Sequence, residues 1–322
     1  LAEHYYRMQQ HDHALAYAAA ATQVPDGAGF YANYQPYYEN IPHEILYWAY
    51  WRRGDYRSSK YHFDNAMAYQ PFNPKYLHDL RYYADLPKIS FIIPTFGRPD
   101  GLKRVVDSIQ NLNYPQEKIQ VVILHDGEKA DAQWETDLNL KLGEDRFKVL
   151  TREERGGVPL ALKKGVEESD GAWIVYASND IEFTPDSVIT ALKTANDNAK
   201  GFMSFNTGPV TPDEGNVCEH FMIARALIPK LGGEIFDTEF HHVGVDNLLW
   251  AKLKRVGQAM RCDRAVVHHY HFSRTGEAMD DTYKIAWDEE SVRQDRELLQ
   301  KKLAELNNPI INNGETLQER HG

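Results

Sequence analysis

The chain has 322 residues, 42% hydrophobic and 26% charged, with 36 basic against 47 acidic side chains and a formal net charge of −11. That balance excludes a protein whose whole surface grips nucleic acid or an anionic membrane, although a local basic groove stays open. With only Cys218 and Cys262, no disulfide framework or four-cysteine metal site can be built, which fits a reducing, cytoplasmic compartment.

Residues 1–86 are rich in Tyr, Ala, His and Trp and poor in strand signals. The chain starts at Leu1, not Met, in what reads as the middle of a helix, which points to a fragment of a longer protein. No signal peptide is visible and no apolar run approaches the ~20 residues of a membrane span. Leu46, Tyr50, Gly54, Tyr56, Phe63, Ala66 and Pro71 fall at helical spacing on two helices joined by Gly54-Asp55. This pattern resembles a tetratricopeptide repeat, with Ser59 where that family prefers Ala. A half-match runs through Tyr5, Tyr6, Asp12, Ala14, Leu15 and Tyr17, and a further helix is expected from Lys75 to Ala84. Such units bury their apolar faces against neighbours. The segment is therefore a docking surface for a protein partner or acceptor, or a helical cap, and the aromatics belong to its core.

From Pro87 the periodicity changes. Short apolar strands at Ile89–Ile93, Ile119–Leu124, Phe147–Leu150 and Trp173–Tyr176 alternate with helices at Leu102–Leu112 and Pro159–Glu168. That alternation predicts an α/β fold with parallel βαβ units over 87–307, followed by a polar tail at 308–322. Pro185 with Asp186 opens a further helix. Neither G-x-G-x-x-G nor a Walker sequence occurs. Polar groups recur just past successive strands: Pro94, Thr95 and Arg98, then His125 and Asp126, then Ser178, Asn179 and Asp180. Each alone reads as a turn. Together, at the carboxyl ends of strands in an open sheet, they outline a nucleotide crevice. Thr95 and Asp126 can hydrogen-bond a base or ribose, Arg98 with Lys163 or Lys164 can meet phosphate, and Asp180 can hold a divalent cation on a diphosphate.

The runs IIPTFGRPDGLKRVVDSI, VVILHDG and RGGVPLALKKGVEESDGAWIVYASND, with Pro185-Asp186, resemble the family 2 glycosyltransferases of the GT-A fold. The resemblance covers most of Lys88 to Gly276. It implies a nucleotide-diphosphate sugar donor, a mixed sheet flanked by helices, and Mn²⁺ or Mg²⁺. In it Asp180 matches the last acid of the D-x-D metal motif. Ser178 stands where that motif has its first acid, and His125 replaces the first acid of the usual Asp-Asp-Gly. Both changes reduce the anionic charge near a metal.

Past Asp180 the alternation becomes irregular. Strands are expected at Phe202–Asn206 and Phe221–Ala226, with a Gly-Pro- and Asp-rich loop between them to Asn216 and helix signals around Pro229. In HHVGVDNLLWAKLKRVG, Asp246 opens a helix whose dipole favours its charge, a position that a plain N-cap also fits. The resemblance makes Asp246 the catalytic base of an inverting transfer, with Val245 where the family has Glu. A strand at Ala265–Val267 leads into a histidine cluster. The resemblance puts a metal-approaching His here, His268 by spacing and otherwise His269; His271 reads as packing. A zinc site with Cys262 lacks a second sulfur. His241 and His242 are weak candidates for the acceptor side. A charged amphipathic helix is expected over Trp287–Leu306.

The expectation is thus a glycosyltransferase in which Asp180 and Asp246 face each other across one cleft. The acceptor stays open between glycan, protein, small molecule and modified nucleic acid. The rivals are a degenerate scaffold that only binds, favoured by Ser178 and Val245, and a nucleotidyltransferase, which would need a Gly-rich basic loop and two metal-binding acids.

Overall fold

A computed structural model describes residues 1–24, 39–129, 132–208, 218–276 and 278–307. The tail 308–322 and most of the Gly-Pro- and Asp-rich stretch before Asn216 lie outside the described residues. The chain divides into two compact units, one of Leu1–Pro87 with Gln110–Ile119 and one of Lys88–Ile109 with the chain from Gln120 onward.

The first unit carries α1 (Ala2–Arg7), α2 (His11–Ala21), α3 (Asn40–Arg53), α4 (Tyr56–Tyr69) and α5 (Pro74–Ala84). The expected Gly54-Asp55 joint has a physical cause at each residue. Gly54 ends α3 at φ +83°, a left-handed conformation that glycine adopts without steric cost. Asp55 caps α4 by accepting the Ser58 N–H at 2.9 Å. Ser59 is buried, and its hydroxyl donates to the Tyr47 carbonyl at 2.7 Å and meets the Tyr83 hydroxyl at 2.6 Å. A hydroxyl at this position is therefore satisfied inside the core. Tyr47, Phe63, Ala66, Tyr76 and Tyr83 pack together, and Tyr47 donates to buried Asp79 at 2.7 Å. Tyr47, Tyr56, Phe63, Tyr76 and Tyr83 are core, as expected, whereas Tyr17, Tyr61, Tyr69 and Phe72 are exposed.

Within the same unit His43 and His62 meet nitrogen to nitrogen at 2.9 Å. Burial, and for His62 also the His43 charge, pushes both imidazoles down, His62 to about 4 from an ordinary 6.5. Both stay neutral in the folded chain where the unfolded chain takes up protons. Their contribution to stability is present above pH 6.5 and is lost as the pH falls through about 4. Hydrogen exchange of peptides covering 40–69 is expected to speed up over that window, and His62→Gln is expected to flatten the response.

The second unit has strands β1 (Ile89–Thr95), β2 (Ile119–Asp126), β3 (Phe147–Arg152), β4 (Trp173–Tyr176), β5 (Ile181–Phe183), β6 (Phe202–Asn206), β7 (Phe221–Ala224) and β8 (Arg261–His269). They form one sheet in the order β3-β2-β1-β4-β7-β6-β8-β5. The β1–β4, β2–β3 and β6–β8 pairs are parallel, whereas β7 runs antiparallel to β4 and β6, and β5 antiparallel to β8. The expected parallel βαβ units are present on one side, and antiparallel strands complete a mixed sheet.

Helices α6 (Pro99–Gln110), α7 (Ala132–Leu142), α8 (Gly157–Glu167), α9 (Ser187–Asp197) and α10 (Val245–Arg255) flank the sheet, followed by α11 (Phe272–Thr275), α12 (Asp281–Ala286) and α13 (Glu289–Asn307). Leu102, Val105, Val106 and Ile109 give α6 its buried face. Gly165 lets α8 press onto β1, because a Cβ there would lie 2.2 Å from Ile92 Cγ2. The core gathers Ile92, Ile174, Phe202, Phe221, Leu248 and Leu253 from both parts of the sheet and from α10. The signals around Pro229 become a 3-10 turn, Arg225–Leu231, because Pro229 has no N–H for an α-helical bond.

Candidate active site

The sheet register explains why distant residues meet. Tyr176 at the carboxyl end of β4 pairs with Phe221 at the start of antiparallel β7. The residues just before Phe221, Glu219 and His220, therefore arrive beside Ser178–Asp180. On the other side β8 runs antiparallel to β5, with His269 opposite Ile181 and His268 opposite Glu182. The Tyr270 N–H donates to the Asp180 carbonyl at 2.8 Å. Alternation along β8 then decides between the two histidines. His269 turns toward Asp180, and His268 is exposed on the other face. The preference for His268 is corrected: spacing to Ser273 did not carry the strand's parity.

Asp180 is the centre of a dense polar group. Its Oδ1 accepts from Ser178 and its Oδ2 from the Tyr283 hydroxyl. His269 Nε2 and Arg98 Nη1 each stand 3.5 Å from Oδ2. Burial pushes the Asp180 carboxyl up, but the hydrogen bond and charge of His269 and the Ser178 hydroxyl outweigh it and hold the group well below the usual carboxylate range. Burial pulls His269 down, yet its bonds to Asp180 and Glu219 keep it above the ordinary imidazole value. Glu219, 3.3 Å from His269 Nδ1, is in turn held by Arg274 at 2.8 and 2.9 Å.

His220 was not singled out from the sequence. It is buried, stacked on Tyr176, and edge-on to His269 with ring centroids 4.8 Å apart. Its Nε2 lies 3.4 Å from Ser178 Oγ, and its Nδ1 is buried without a hydrogen-bond partner. Burial and the neighbouring His269 push it down to about 3, so it is neutral. Asp180, His220 and His269 each offer one ligand atom, all within 4.8 Å of one another. A carboxylate and two imidazoles, one of them with a buried ring nitrogen that has no hydrogen-bond partner, fit a divalent cation. The sequence clue was present: Glu219 and His220 directly precede the expected strand Phe221–Ala226.

Asn179 donates to buried Thr95 at 2.9 Å, tying the ends of β4 and β1, and Pro94 is buried in β1 beside it. Gly101 permits the approach of α6, since a Cβ there would stand 2.1 Å from the Asn179 carbonyl oxygen. Arg98 makes a two-point pair with Asp280 at 2.7 and 2.9 Å and stacks on Tyr283 with its guanidinium 3.9 Å from the ring centre. Asp280 and Tyr283 come from just before and within α12, respectively, and were not anticipated. Asp126 is buried and accepts the Gly156 and Gly157 N–H groups at 3.0 and 2.7 Å, which anchors the start of α8. His125 sits between Glu128 and Glu135 at 3.2 and 2.5 Å; burial lowers it, but both carboxylates outweigh that and raise it. Lys164 stays apart, in an exposed pair with Glu168 at 2.7 Å.

Asp246 lies in the first turn of α10, half-buried, with Oδ1 accepting the Asn247 N–H at 2.9 Å. Its carbonyl accepts from the Cys218 thiol at 3.1 Å. Burial first, and then the charges of Asp180, Asp246 and Glu219, raise the Tyr176 phenol. Close to α10, Asp295 of α13 accepts the N–H groups of His241, His242 and Val243 at 2.8 to 2.9 Å. His271 packs against Phe272 and Tyr283, as read from the sequence. Cys262 is buried beside Thr194, 3.3 Å away.

A mixed sheet carries convergent polar groups and an Asp–His cluster at its strand ends. Residues 90–221 match the family described as "Glycosyl transferase family 2", and the chain carries a glycosyltransferase domain. A Campylobacter jejuni protein, GalNAc(5)-diNAcBac-PP-undecaprenol beta-1,3-glucosyltransferase, is 26% identical over 165 residues, covering 48% of this chain and 52% of that one. The dolichol-phosphate mannosyltransferase of Pyrococcus furiosus is 28% identical over 150 residues, 44% of this chain and 38% of that one. The chain spans about half the length of the first of these relatives and less of the second. Among solved structures, the mannosyltransferase PcManGT from Pyrobaculum calidifontis, in complex with GDP-Man and Mn²⁺, gives a TM-score of 0.48 at 17% identity, covering 71% of this chain and 80% of that one. S. aureus TarS gives 0.47 at 13% identity, with 57% and 37% covered. No helix among the described residues is long and apolar enough to cross a membrane.

Proposed function

We propose that the chain moves a sugar from a nucleotide-diphosphate donor to an acceptor hydroxyl with inversion. The observation that carries this reading is the convergence of Asp180, His269 and Arg98 at the strand ends. Thr95, Asn179 and Pro94 line the nucleotide side. Arg98, already against Asp180, turns toward the diphosphate. Asp180 and His269 hold a divalent cation, which when bound offsets the charge that develops on the leaving diphosphate.

Asp246 takes the proton of the acceptor hydroxyl as its oxygen attacks the anomeric carbon. The new C–O bond forms on the face opposite the breaking bond, whose electron pair leaves with the nucleotide diphosphate. The relatives named above act on lipid-linked acceptors by their names; the acceptor here is a hydroxyl of a class the chemistry does not restrict.

The test is a mass-spectrometric screen of UDP, GDP and dTDP sugars with Mn²⁺ or Mg²⁺, read as release of the nucleoside diphosphate. Cation-dependent release from at least one donor is expected. Neither turnover nor binding with any donor would overturn the reading in favour of a binding scaffold.

A further inference from the structure

We infer that Asp295 of α13 is a positioning residue for the acceptor: it holds the 241–243 segment so that the His242 imidazole forms part of the acceptor-binding wall. The inference deepens the proposed transfer and rests on that reading.

Helix α13 is amphipathic, yet the side chain it buries most completely is a carboxylate. Asp295 is 1% exposed, whereas Leu298, Leu299 and Leu303 are only partly buried. A helix that served only to pack would place an apolar side chain there. A buried charge is costly unless it is hydrogen-bonded. Three consecutive N–H groups supply the bonds, His241 donating to Oδ1 at 2.9 Å and His242 and Val243 to Oδ2 at 2.8 Å each. Successive N–H groups converge on one anion only where the backbone curls around it. The carboxylate therefore fixes the course of this segment.

The start of α10 has little of its own to hold it. Its N-cap is Gly244 at φ +85°, with no side-chain capping bond. Gly244 lies against α13, where a Cβ would stand 3.0 Å from Leu299 Cδ2. The His241 carbonyl oxygen presses on the start of α8, since a Cβ on Gly157 would stand 2.4 Å from it. Contacts with α13 and α8, in place of a local cap, set where the segment runs into α10.

His242 is the side chain that this clamp presents. Burial, then the charge of Arg155, pushes its imidazole down against the charges of Asp295 and Asp180, and Arg98 adds to the fall. The ring is neutral, and groups from the ends of β1 and β4 act on it. A neutral imidazole accepts one hydrogen bond and donates another, which suits a hydroxyl-bearing acceptor.

The experiment uses the full chain with Mn²⁺, with UDP-glucose, GDP-mannose and dTDP-glucose as donor probes and p-nitrophenyl and octyl glycosides as acceptor probes. Release of nucleoside diphosphate to water is measured without acceptor, and glycosylated product with it. Asp295→Asn turns one acceptor oxygen into a donor facing backbone N–H groups. It is expected to keep the donor KM within about twofold and to lower the ratio of transfer to hydrolysis by about 10- to 100-fold, the scale of a small misplacement. His242→Gln leaves the three backbone bonds in place and is expected to lower the same ratio, which keeps the test decisive if Asp295→Asn fails to fold. In the unmodified chain the amides of His241, His242 and Val243 are expected to exchange hydrogen as slowly as those of α10. Loop-like exchange there, an unchanged ratio in His242→Gln, or equal falls in transfer and hydrolysis in folded Asp295→Asn overturns the inference and leaves the transferase reading in place. No transfer by the unmodified chain to any acceptor overturns both.

Discussion

Replacing Asp246 by Asn is expected to lower the rate of sugar transfer by about 10²–10⁴-fold, the range of a lost general base. The amide has the same shape and keeps an oxygen for the Asn247 N–H, which Asp246 Oδ1 now accepts at 2.9 Å. The Cys218 thiol reaches the residue's carbonyl, not its side chain, so that contact survives. The first turn of α10 favours a negative charge through the helix dipole, worth about 0.3–1 kcal/mol at an exposed site. Asn forgoes that modest term. The informative pattern is a split: turnover falls, while the donor KM and Mn²⁺ affinity stay near the unmodified values. Equal product from both proteins would remove Asp246 from the mechanism and return it to the role of a helix start.

The parts that could be read from sequence were those fixed by local pattern. Trp173–Tyr176 and Phe202–Asn206 are short apolar runs with polar borders, and both strands fall on those residues. The Gly54-Asp55 joint was legible because a left-handed glycine followed by a capping acid is a local device. Helix α7 escaped because AQWETDLNLKL has no sustained apolar stripe, and only part of it packs inward. The site was half legible for a different reason. Asp180, Asn179, Thr95 and Arg98 follow their own strands, so strand ends locate them. His220 reaches the site through antiparallel pairing of β7 with β4, and Tyr283 through a chain reversal a hundred residues later. Neither is encoded in a local period. The mistaken preference for His268 has the same origin: side-chain parity on β8 is set by its pairing with β5, which a spacing argument does not contain.

Replacing Asp180 by Asn should have the opposite signature from the Asp246 change, losing the cation before it loses the reaction. The amide offers a weaker, neutral oxygen and leaves His220 and His269 as the remaining ligands. Transfer is expected to fall by about 10²–10³-fold or more, the scale of a lost electrostatic contact to the leaving charge, and Mn²⁺ affinity to fall with it. Stability changes as well. Asp180 is buried and balances His269 and Arg98, and breaking a buried charge pair costs about 3–5 kcal/mol when the partner is stranded. Here the partners are not stranded, because His269 keeps Glu219 and Arg98 keeps Asp280. The cost should therefore fall below that range. Its pH dependence has a definite sign. A carboxyl held below its ordinary 3.8 contributes stability above that pH and loses it as the pH falls through the folded value. The gap in unfolding midpoint between the two proteins should be widest near neutrality and narrow in acid. A gap that widens in acid, or an Asp180→Asn protein that binds Mn²⁺ as before, would show that this carboxylate is neither the charge balance nor the ligand that the reaction needs.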